Sequence, residues 1–457
     1  MVMKFGGTSI ANAAAFENVA QIVLDHVPVA PIVVVSAMSC VTDALLEISR
    51  LAKVGSVDVA LTSLDEIFEQ HASVARALFT NQHRQDFFDL LETAQGPIAK
   101  LLHLIATEPH LDRMYEDELL AWGETLSSNL LARALCFNGA VARSVDARTC
   151  ILTDDQYGNA APLMSETFAL TKATLNHLLN DRVIPVLGGF IGATIDGNTT
   201  TLGRGGSDYT AAIVGAALNV LEIQIWTDVT GVLTADPRVV PDAQTIASLS
   251  YGEAAELAYF GAKVLHPKTI QPATERKIPV RICNSRERGL NGTIVCATTQ
   301  TAPQTVKAIA YKTGVTTIQI TSARMLGAYG FLRALFEIFD RHRTVVDVVT
   351  TSEVSVSLSV DDARSLPQIV EELQALGTVR VEPGRAIICV VGEGLRGTPG
   401  IAATVFSTIG NINVTLISQG ASSVNLTFAV EEDRAEEVVR RLHAAFFEHD
   451  KLDGILA

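Results

Sequence analysis

The hydrophobic positions near the N-terminus follow two different periods. Residues 2–5 and 31–36 are short apolar runs, typical of strands that are buried on both faces of a parallel sheet. Between them, residues 12–26 carry apolar side chains at helical spacing, and a second helix is expected from Asp43. This order of strand, loop and helix predicts an α/β fold, in which ligands bind at the carboxyl ends of the strands.

The middle of the chain continues the same alternation. Helices are expected at about 61–108 and 117–136, and strands at 183–191 and 223–228. The turn signal Asp196-Gly197 predicts a hairpin over 191–202. On composition alone, Glu124 in the second helix is expected on a solvated face.

Beyond about residue 301 the pattern changes and an internal repeat appears. Residues 330–336 match residues 400–406, an offset of 70, and the same offset pairs 351–355 with 421–425. Each repeat predicts the order strand, helix, strand, strand, helix. Two such units are too few for a solenoid, so we expect a tandem pair of small α+β domains.

Composition and charge exclude several classes of protein. Of the 457 residues 48% are hydrophobic and 19% are charged, which is typical of a globular protein. The net charge of -15 argues against a general nucleic-acid surface or an anionic membrane surface. No apolar run is long enough to span a bilayer, and the N-terminus lacks a signal-peptide layout. We therefore expect a cytoplasmic protein with no nucleic-acid or membrane partner.

The six cysteines are scattered and none belongs to a Cys-x-x-Cys pair. This usage predicts reduced, mostly buried thiols and disfavours structural zinc or a catalytic cysteine. His266 precedes a proline and has no partner at metal-ligand spacing, so a structural role is expected.

The strongest candidate for chemistry is the glycine-rich stretch 201–210, which opens an alanine-rich helix. A glycine turn at a helix start presents free N–H groups and the positive end of the helix dipole to an anion. Arg204 adds a guanidinium that matches carboxylate or phosphate, and Asp208 adds a carboxylate that could orient a cation. The stretch alone does not identify the ligand.

A second glycine pattern, G-x-G-x-x-G at residues 392–397, is rejected as a dinucleotide site. The acidic residue expected about 20 positions later is missing, and the match falls inside the repeat. A P-loop motif does not occur in the sequence.

Several motifs together closely resemble those of the aspartate kinase family, in its monofunctional form with C-terminal tandem ACT domains. The motifs that carry the resemblance are residues 4–9, 201–210, 226–229 with 236–238, 260–267, and 350–355. The resemblance covers nearly the whole chain. It implies an α/β amino-acid-kinase fold, mostly a parallel sheet between helices, over 1–295. It also implies ferredoxin-like ACT domains at 305–383 and 384–457, which could interleave strands.

The resemblance implies that ATP phosphorylates L-aspartate to 4-phospho-L-aspartate, the first step of aspartate-family biosynthesis that leads to lysine and threonine. Mg²⁺ is expected to bind through the ATP phosphates and not to a protein metal site. The catalytic residues implied are Lys4, Gly6, Gly7 and Asp208. The substrate-binding residues implied are Thr42, Glu124, Arg204, Gly205, Gly206 and Ser207. In this interpretation Asp208 holds Lys4 in place, because a carboxylate substrate has no proton to lose at neutral pH.

The implied nucleotide-binding residues are Lys4, Thr227, Asp228, Leu233, Arg238, Lys263 and Val264. Two positions depart from the family pattern. Leu233 stands where the family usually has Tyr, so one nucleotide contact is lost or becomes apolar. Ala121 stands where Ser is common.

Feedback regulation by an amino acid, lysine or threonine, is implied for the first ACT domain. The implied effector-binding residues are Met325, Phe331, Leu332, Val346, Asp347, Ser352 and Glu353. Lysine as the effector is in doubt, since Gly327, Ala328 and Val345 replace polar residues of the lysine-sensitive enzymes. A homo-oligomer, with ACT domains paired across a two-fold axis, is expected because each has an exposed sheet edge.

Two other functions remain open at this point. One is a kinase for another acidic amino acid. The other is a non-catalytic, amino-acid-sensing regulatory subunit on a kinase fold, for which Leu233 and Ala121 give some support.

Overall fold

The structure is a computed structural model that describes residues 1–108, 110, 112–261, 265–297, 305–327 and 329–448. The chain divides into two compact units. The N-terminal unit contains Met1–Val232 and His266–Thr298, and the C-terminal unit contains Leu233–Leu265 and Thr299–Ala457.

The strands predicted at 2–5, 31–36, 183–191 and 223–228 are confirmed. In chain order they are β1 (Val2–Phe5), β2 (Ile32–Val35), β3 (Ala142–Val145), β4 (Ile184–Gly188), β5 (Ile191–Ala193), β6 (Thr199–Thr201), β7 (Ile223–Thr227), β8 (Ser248–Ser250), β9 (Val280–Asn284), β10 (Thr293–Cys296), β11 (Ala308–Thr321), β12 (Val349–Thr351), β13 (Ser355–Val360), β14 (Thr378–Val391), β15 (Leu416–Gln419) and β16 (Asn425–Glu431).

The α-helices are α1 (Ala13–Asp25), α2 (Val41–Lys53), α3 (Val57–Leu78), α4 (Asn81–Thr107), α5 (Asp112–Phe137), α6 (Met164–Asn180), α7 (Gly206–Leu218), α8 (Tyr251–Tyr259), α9 (Gln271–Glu275), α10 (Phe331–Arg341), α11 (Leu366–Gln374), α12 (Ile401–Ile409) and α13 (Ala435–His443). The helical region predicted at 61–108 is divided at residues 79–80 into α3 and α4.

The main sheet of the N-terminal unit follows the order β3-β4-β2-β1-β7-β9-β10. Strand β1 is central and pairs in parallel with β2 and β7, with Lys4 opposite Val34 and Ile225. Parallel neighbours on both sides explain why these strands are continuous apolar runs. They also place the carboxyl ends of β1, β2 and β7 at one edge of the sheet.

The predicted hairpin is confirmed, because β5 and β6 pair antiparallel with Ile191 opposite Thr201. The chain leaves β6 and enters α7 through a turn in which Gly203 and Gly205 have φ angles of 70° and 74°. That left-handed region strongly favours glycine. The turn therefore fixes the position of the glycine-rich stretch at the start of α7.

The C-terminal unit contains one sheet of 6 strands in the order β12-β13-β11-β14-β16-β15. The two central strands pair along both repeats, from Ala308 opposite Val391 to Thr321 opposite Thr378, with a bulge between Lys312 and Thr317. The predicted element order of each repeat is confirmed. Residues 233–265, which the sequence analysis assigned to the first domain, pack within this unit. The exact domain boundaries remain a prediction.

A buried ion pair joins α8 to the start of β11. Lys307 Nζ lies 2.9 Å from Glu253 Oε2, with 8% and 0% of the two side chains exposed. The same Glu253 oxygen accepts a hydrogen bond from the Ser250 N–H, while the Ser250 hydroxyl accepts one from the Glu253 N–H. This capping box begins α8 and orients the carboxylate toward Lys307.

We expect Glu253→Gln to destabilise the C-terminal unit by about 3–5 kcal/mol, because it leaves the Lys307 ammonium buried without its counter-charge. Chemical denaturation measures the change. As a control, Glu436→Gln removes an exposed partner of Arg440 on α13 and is expected to change stability much less. Equal losses in the two variants would contradict a special role for the buried pair.

Candidate active site

The N-terminal unit contains a cavity of about 540 Å³ at the edge of the sheet where β1 ends. Its walls come from β1, α2, α5, β6 and the start of α7. The lining residues are Lys4, Ser36, Thr42, Asp43, Leu46, Glu116, Asp117, Leu120, Glu124, Gly158, Phe190, Thr201, Gly203, Arg204, Gly205, Gly206, Ser207 and Asp208. Most of the predicted catalytic and substrate residues therefore surround one cavity.

Lys4 and Asp208 form an ion pair at this cavity. Lys4 Nζ lies 2.6 Å from Asp208 Oδ1, and the two side chains are 12% and 17% exposed. Strand β1 presents the lysine near its carboxyl end, and the first turn of α7 presents the aspartate. A carboxylate in the first turn of a helix is favoured by the helix dipole. The pair thus fixes an ammonium group at the cavity wall.

The four candidate glycines, Gly6, Gly7, Gly205 and Gly206, differ in whether their N–H groups already donate a hydrogen bond. The Gly6 N–H donates to the Trp226 carbonyl at 3.2 Å, and the Gly206 N–H donates to the Gly203 carbonyl at 3.0 Å. These two N–H groups are therefore engaged within the chain. Gly7 is required for packing, since a Cβ atom there would lie 2.8 Å from the Ala37 carbonyl oxygen. Gly205 is the N-cap of α7 and supplies no side-chain cap.

Glu124 is buried, with 3% of the residue exposed, so the expectation of a solvated face is wrong. The reason is tertiary: α5 packs its Glu124 backbone against Gly188, where a Cβ atom would lie 3.1 Å from the Glu124 carbonyl oxygen. Burial raises the pKa of Glu124 to about 8, although hydrogen bonds from the Ala37 and Glu124 backbone oppose the shift. Among the described residues, Glu124 Oε2 has no hydrogen-bond partner. The cavity therefore contains a carboxyl group whose ionised form lacks a counter-charge.

Arg204 is exposed and lines the same cavity as Glu124. Thr42 in α2 and Ser207 in α7 add hydroxyl groups to the same walls. Within the described part of the chain, the Arg204 guanidinium forms no ion pair. Among the described residues, the cavity thus offers an unpaired guanidinium, a buried carboxyl group with a free oxygen and neutral donors, which suits a zwitterionic ligand.

Asp117 is a site residue that the sequence analysis missed. Its Oδ2 accepts hydrogen bonds from the N–H groups of Gly158 at 2.9 Å and Thr201 at 2.8 Å. Its Oδ1 accepts a third, from the Thr201 hydroxyl at 2.8 Å. Burial raises its pKa, and these hydrogen bonds act in the opposite direction. One carboxylate therefore joins α5 to β6, directly before the glycine-rich turn.

The spacing could have pointed to this residue. Asp117 and Glu124 are seven positions apart on α5, so they lie on the same helix face two turns apart. An acidic pair at that spacing, with an apolar helix continuing beyond it, is unusual for a solvated face.

Two of the nucleotide candidates other than Lys4 lie in the N-terminal unit. Thr227 is the last residue of β7, and its hydroxyl donates to the Asp228 carboxylate at 3.1 Å. Both follow the strand next to β1, at the same sheet edge as the cavity.

The other nucleotide candidates lie elsewhere. Leu233 and Arg238 belong to the C-terminal unit, where the Arg238 guanidinium pairs with Asp236 at 2.6 Å. Lys263 and Val264 lie outside the described residues. No group of three metal-ligating side chains is found in the parts of the chain that the structure describes.

The effector candidates lie around strand β12 of the C-terminal unit. Met325, Phe331 and Val346 pack against the same apolar core. Leu332 and Glu353 are exposed, and the Ser352 hydroxyl lies 2.8 Å from that of Ser355. Of the three positions that replace polar residues of the lysine-sensitive enzymes, Ala328 is outside the described residues.

Asp347, one of the two charged effector candidates, is already paired. Its side chain is 1% exposed, Lys312 Nζ lies 3.3 Å from Oδ2, and the Tyr259 hydroxyl donates to Oδ1. Burial and the neighbouring Asp361 carboxylate raise the pKa of Asp347 to about 7. Lys312 also binds Asp361 at 2.6 Å. An effector amine that binds Asp347 must therefore compete with groups of the chain itself.

We expect Asp117→Ala to destabilise the N-terminal unit by about 2–4 kcal/mol, because it leaves the N–H and hydroxyl groups of the buried Thr201 without their acceptor. Amide exchange at Thr201 should accelerate strongly. Asp117→Asn keeps an acceptor oxygen and should cost less. Unchanged exchange at Thr201 in the alanine variant would contradict the proposed link between α5 and β6.

Comparison with known proteins agrees with this geometry. The profile of the Amino acid kinase family matches residues 1–284, and an ACT domain profile matches residues 388–446. No helix in the described residues is long and apolar enough to cross a membrane.

The chain is similar over its length to plant and bacterial proteins. It is 39% identical over 470 residues to aspartokinase 3, chloroplastic, of Arabidopsis thaliana, covering 99% of this chain and 83% of the relative. It is 38% identical to lysine-sensitive aspartokinase 3 of Escherichia coli (strain K12), covering 98% of this chain and 99% of the relative. The crystal structure of E. coli aspartokinase III in complex with aspartate and ADP matches with a TM-score of 0.80 and 37% identity, covering 98% of this chain and 99% of that one. The chain therefore belongs to the amino acid kinase family and, within it, to the aspartokinases.

Proposed function

We propose that this enzyme transfers the γ-phosphoryl group of ATP to the side-chain carboxylate of L-aspartate, in the cavity of the N-terminal unit. The observation that carries the proposal is the Lys4–Asp208 ion pair beside a cavity that also contains Glu124 and Arg204. The product is 4-phospho-L-aspartate, a mixed anhydride that enters aspartate-family amino-acid biosynthesis. E. coli aspartokinase III, with its aspartate and ADP complex, supports this assignment.

Aspartate has three charged groups, and the cavity has a complement for each. Arg204 binds the α-carboxylate through its planar fork of donors. Burial raises the pKa of Glu124 to about 8 and so favours the protonated acid, which loses its proton when its carboxylate accepts the ammonium group of the ligand. Thr42 and Ser207 donate hydroxyl hydrogen bonds. The side-chain carboxylate then faces Lys4.

Phosphoryl transfer requires positioning and charge neutralisation more than covalent chemistry. Lys4 contacts the γ-phosphoryl group during its transfer and balances the negative charge that spreads over the phosphoryl oxygens. Gly7 and Gly205 provide main-chain donors, together with the positive end of the α7 dipole. Gly6 and Gly206 act by allowing close approach, because their N–H groups are engaged elsewhere. Asp208 orients Lys4 and removes no proton from the substrate.

ATP contributes its own metal ion. Mg²⁺ is proposed to bind through the ATP phosphates. Mg²⁺ supplies charge neutralisation at the phosphates. Thr227, Asp228, Leu233, Arg238, Lys263 and Val264 are the proposed contacts of the nucleotide. With Leu233 in place of the usual tyrosine, one nucleotide contact is lost or becomes apolar.

The two alternative functions are less well supported. A non-catalytic sensor could dispense with Lys4, Asp208 and Glu124, yet all three are present and placed together. Ala121 gives little support to a loss of catalysis, because it packs with Ala147 and Ile191 in a small apolar cluster and does not line the cavity. A kinase for a longer acidic substrate remains the second candidate, since the cavity volume alone does not exclude one more methylene.

An amino acid, lysine or threonine, is the proposed feedback effector at the first ACT domain. Lysine and aspartate occupy E. coli aspartokinase III in a T-state structure, and that relative supports lysine here. Leu326, Tyr329 and Val345 are exposed apolar side chains of the C-terminal unit. Strand β12 lies at an edge of the sheet, and an exposed sheet edge favours a homo-dimer through these domains. The six free cysteines favour the reducing cytoplasm as its location.

A coupled ADP-release assay with ATP, Mg²⁺ and a panel of acidic amino acids tests the function. Aspartate should be the preferred acceptor, with glutamate and acetylglutamate slower. A folded enzyme that releases no ADP with aspartate would exclude the proposal. Faster turnover with glutamate would establish the second candidate instead.

Lys4→Met should lower the rate with saturating aspartate on the order of 10²–10³-fold, because it removes one preorganised charge from the transition state. The fold should be unchanged by circular dichroism. Lys172→Met, which alters an exposed lysine on α6, is the matched control and should leave the rate near normal. A near-normal rate in the Lys4 variant would refute its role.

Aspartate affinity should increase with pH, because the bound ammonium group favours the ionised form of Glu124. With a pKa of about 8, most Glu124 side chains in the free enzyme are protonated near neutrality. Between about pH 7 and pH 9 the ionised fraction rises about tenfold, and KM for aspartate should fall by a similar factor. The measurement is the pH profile of KM at saturating ATP.

Glu124→Gln should bind aspartate weakly with a flat profile over the same range. Glu118→Gln, an exposed position on the same helix, is the control and should keep the wild-type profile. A flat profile in the wild-type enzyme would count against Glu124 as the ammonium acceptor.

A further inference from the structure

Residues 233–240, which contain two of the proposed nucleotide contacts, are packed into the C-terminal unit. Ala235 and Val240 are buried in the apolar core that strands β14 and β16 build with helix α13. The two proposed contacts are more accessible, since Leu233 is half-buried and 85% of the Arg238 side chain is exposed. The C-terminal unit therefore sets the position of both contacts.

Thr234 is the polar anchor of this segment, and only 6% of the residue is exposed. Its N–H donates to the Gln244 carbonyl at 2.9 Å, and its carbonyl accepts from the N–H of Ile309 on β11 at 2.8 Å. Its hydroxyl oxygen accepts a further hydrogen bond from the Gln244 N–H at 3.0 Å. A hydroxyl group that accepts one hydrogen bond still has its own proton to donate.

His443, the last residue of α13, is the partner of that hydroxyl group. Its Nε2 lies 2.9 Å from the Thr234 hydroxyl oxygen, and 1% of the histidine is exposed. The imidazole packs on the Phe447 ring with centroids 4.8 Å apart, and its Nδ1 lies 3.5 Å from the Glu448 carboxylate. A neutral imidazole with its proton on Nδ1, facing Glu448, accepts the Thr234 proton at Nε2. The ring is therefore oriented from both sides when it meets Thr234.

This hydrogen bond adds a constraint that the surrounding apolar core does not supply. Apolar burial is non-directional, whereas a hydrogen bond between two buried groups requires one arrangement of both. His443 and Thr234 are 209 positions apart in the sequence, so the bond ties the nucleotide segment to a distant helix. Neither residue lines the catalytic cavity.

We propose that His443 is a positioning residue for the nucleotide, because through Thr234 it holds Leu233 and Arg238 where ATP meets them. The inference rests on the proposed function, in which those two residues contact ATP. Contacts that are held in place before binding lose less conformational freedom when the ligand arrives. Helix α13 of the C-terminal unit thus contributes to nucleotide affinity without contacting the nucleotide.

The test measures ADP binding in the presence of Mg²⁺ by calorimetry, together with the kinetics of the full-length enzyme. His443→Leu keeps an apolar side chain in the core but removes the acceptor of the Thr234 proton. It should raise the Kd for ADP and the KM for ATP about 5- to 10-fold, the effect of one lost hydrogen bond. The kcat and the KM for aspartate should stay near their wild-type values.

Conservative variants and a core variant separate positioning from stability. His443→Gln keeps a hydrogen-bonding amide near the place of Nε2, and Thr234→Ser keeps the hydroxyl group, so both should retain most of the ADP affinity. Val405→Ala removes buried methyl groups of α12 from the same apolar core, and it should lower Tm without changing ADP affinity.

Unchanged ADP affinity in folded His443→Leu would overturn the inference. An equal loss of affinity in Val405→Ala would overturn it too, because a loosened core would then explain both. Direct ADP binding keeps this test separate from the reaction. If wild-type protein binds ADP but does not phosphorylate aspartate, the proposed reaction fails while the variants still test His443. Wild-type protein that does not bind ADP would overturn both.

Discussion

The fixed position of the Lys4 ammonium is the constraint on which the active site depends. A flexible lysine side chain loses much conformational entropy when it is held in one place. This chain restricts both the backbone and the ammonium group of Lys4. Strand β1 is paired on both sides, so the backbone of Lys4 cannot shift. Asp208 holds the other end from the first turn of α7. The glycine turn before α7 therefore has a structural role, because it places the first turn of the helix, and with it Asp208, beside the end of β1.

Helix α5 contributes two buried carboxyl groups whose surroundings assign them different roles. Asp117 has three donors for its two oxygens, so it is satisfied without a ligand and holds β6 in place. Glu124 has an oxygen without a partner and a pKa raised to about 8 by burial. A polar group that is left unsatisfied in the folded chain costs stability. Such a cost is expected where a ligand supplies the missing partner, and the Glu124 side of the cavity fits that description.

The sequence predicts this fold well because its main signals are local. Apolar runs, helical spacing and the Asp196-Gly197 turn predict most strands and helices of the N-terminal unit, and the offset of 70 predicts the two repeats. The glycine-rich motif likewise predicts the neighbourhood of Lys4 and Asp208. The failures concern contacts between distant segments. The burial of Glu124 depends on Gly188, and the pairing of Asp347 depends on Tyr259 and Lys312. No periodicity within a single helix or strand contains that information.

The two repeats of the C-terminal unit share an architecture but differ in charge, and the difference follows from how their sheets join. Strands β11 and β14 run through both repeats, so their side chains face both. In the first repeat a single cation, Lys312, pairs with both Asp347 and Asp361, so carboxylates are in excess there. Around Glu382 the balance is reversed, because Arg380 and Arg385 share one carboxylate. Lys312 lies on β11, and Arg380, Glu382 and Arg385 lie on β14, so the same pair of strands joins the two groups of charges.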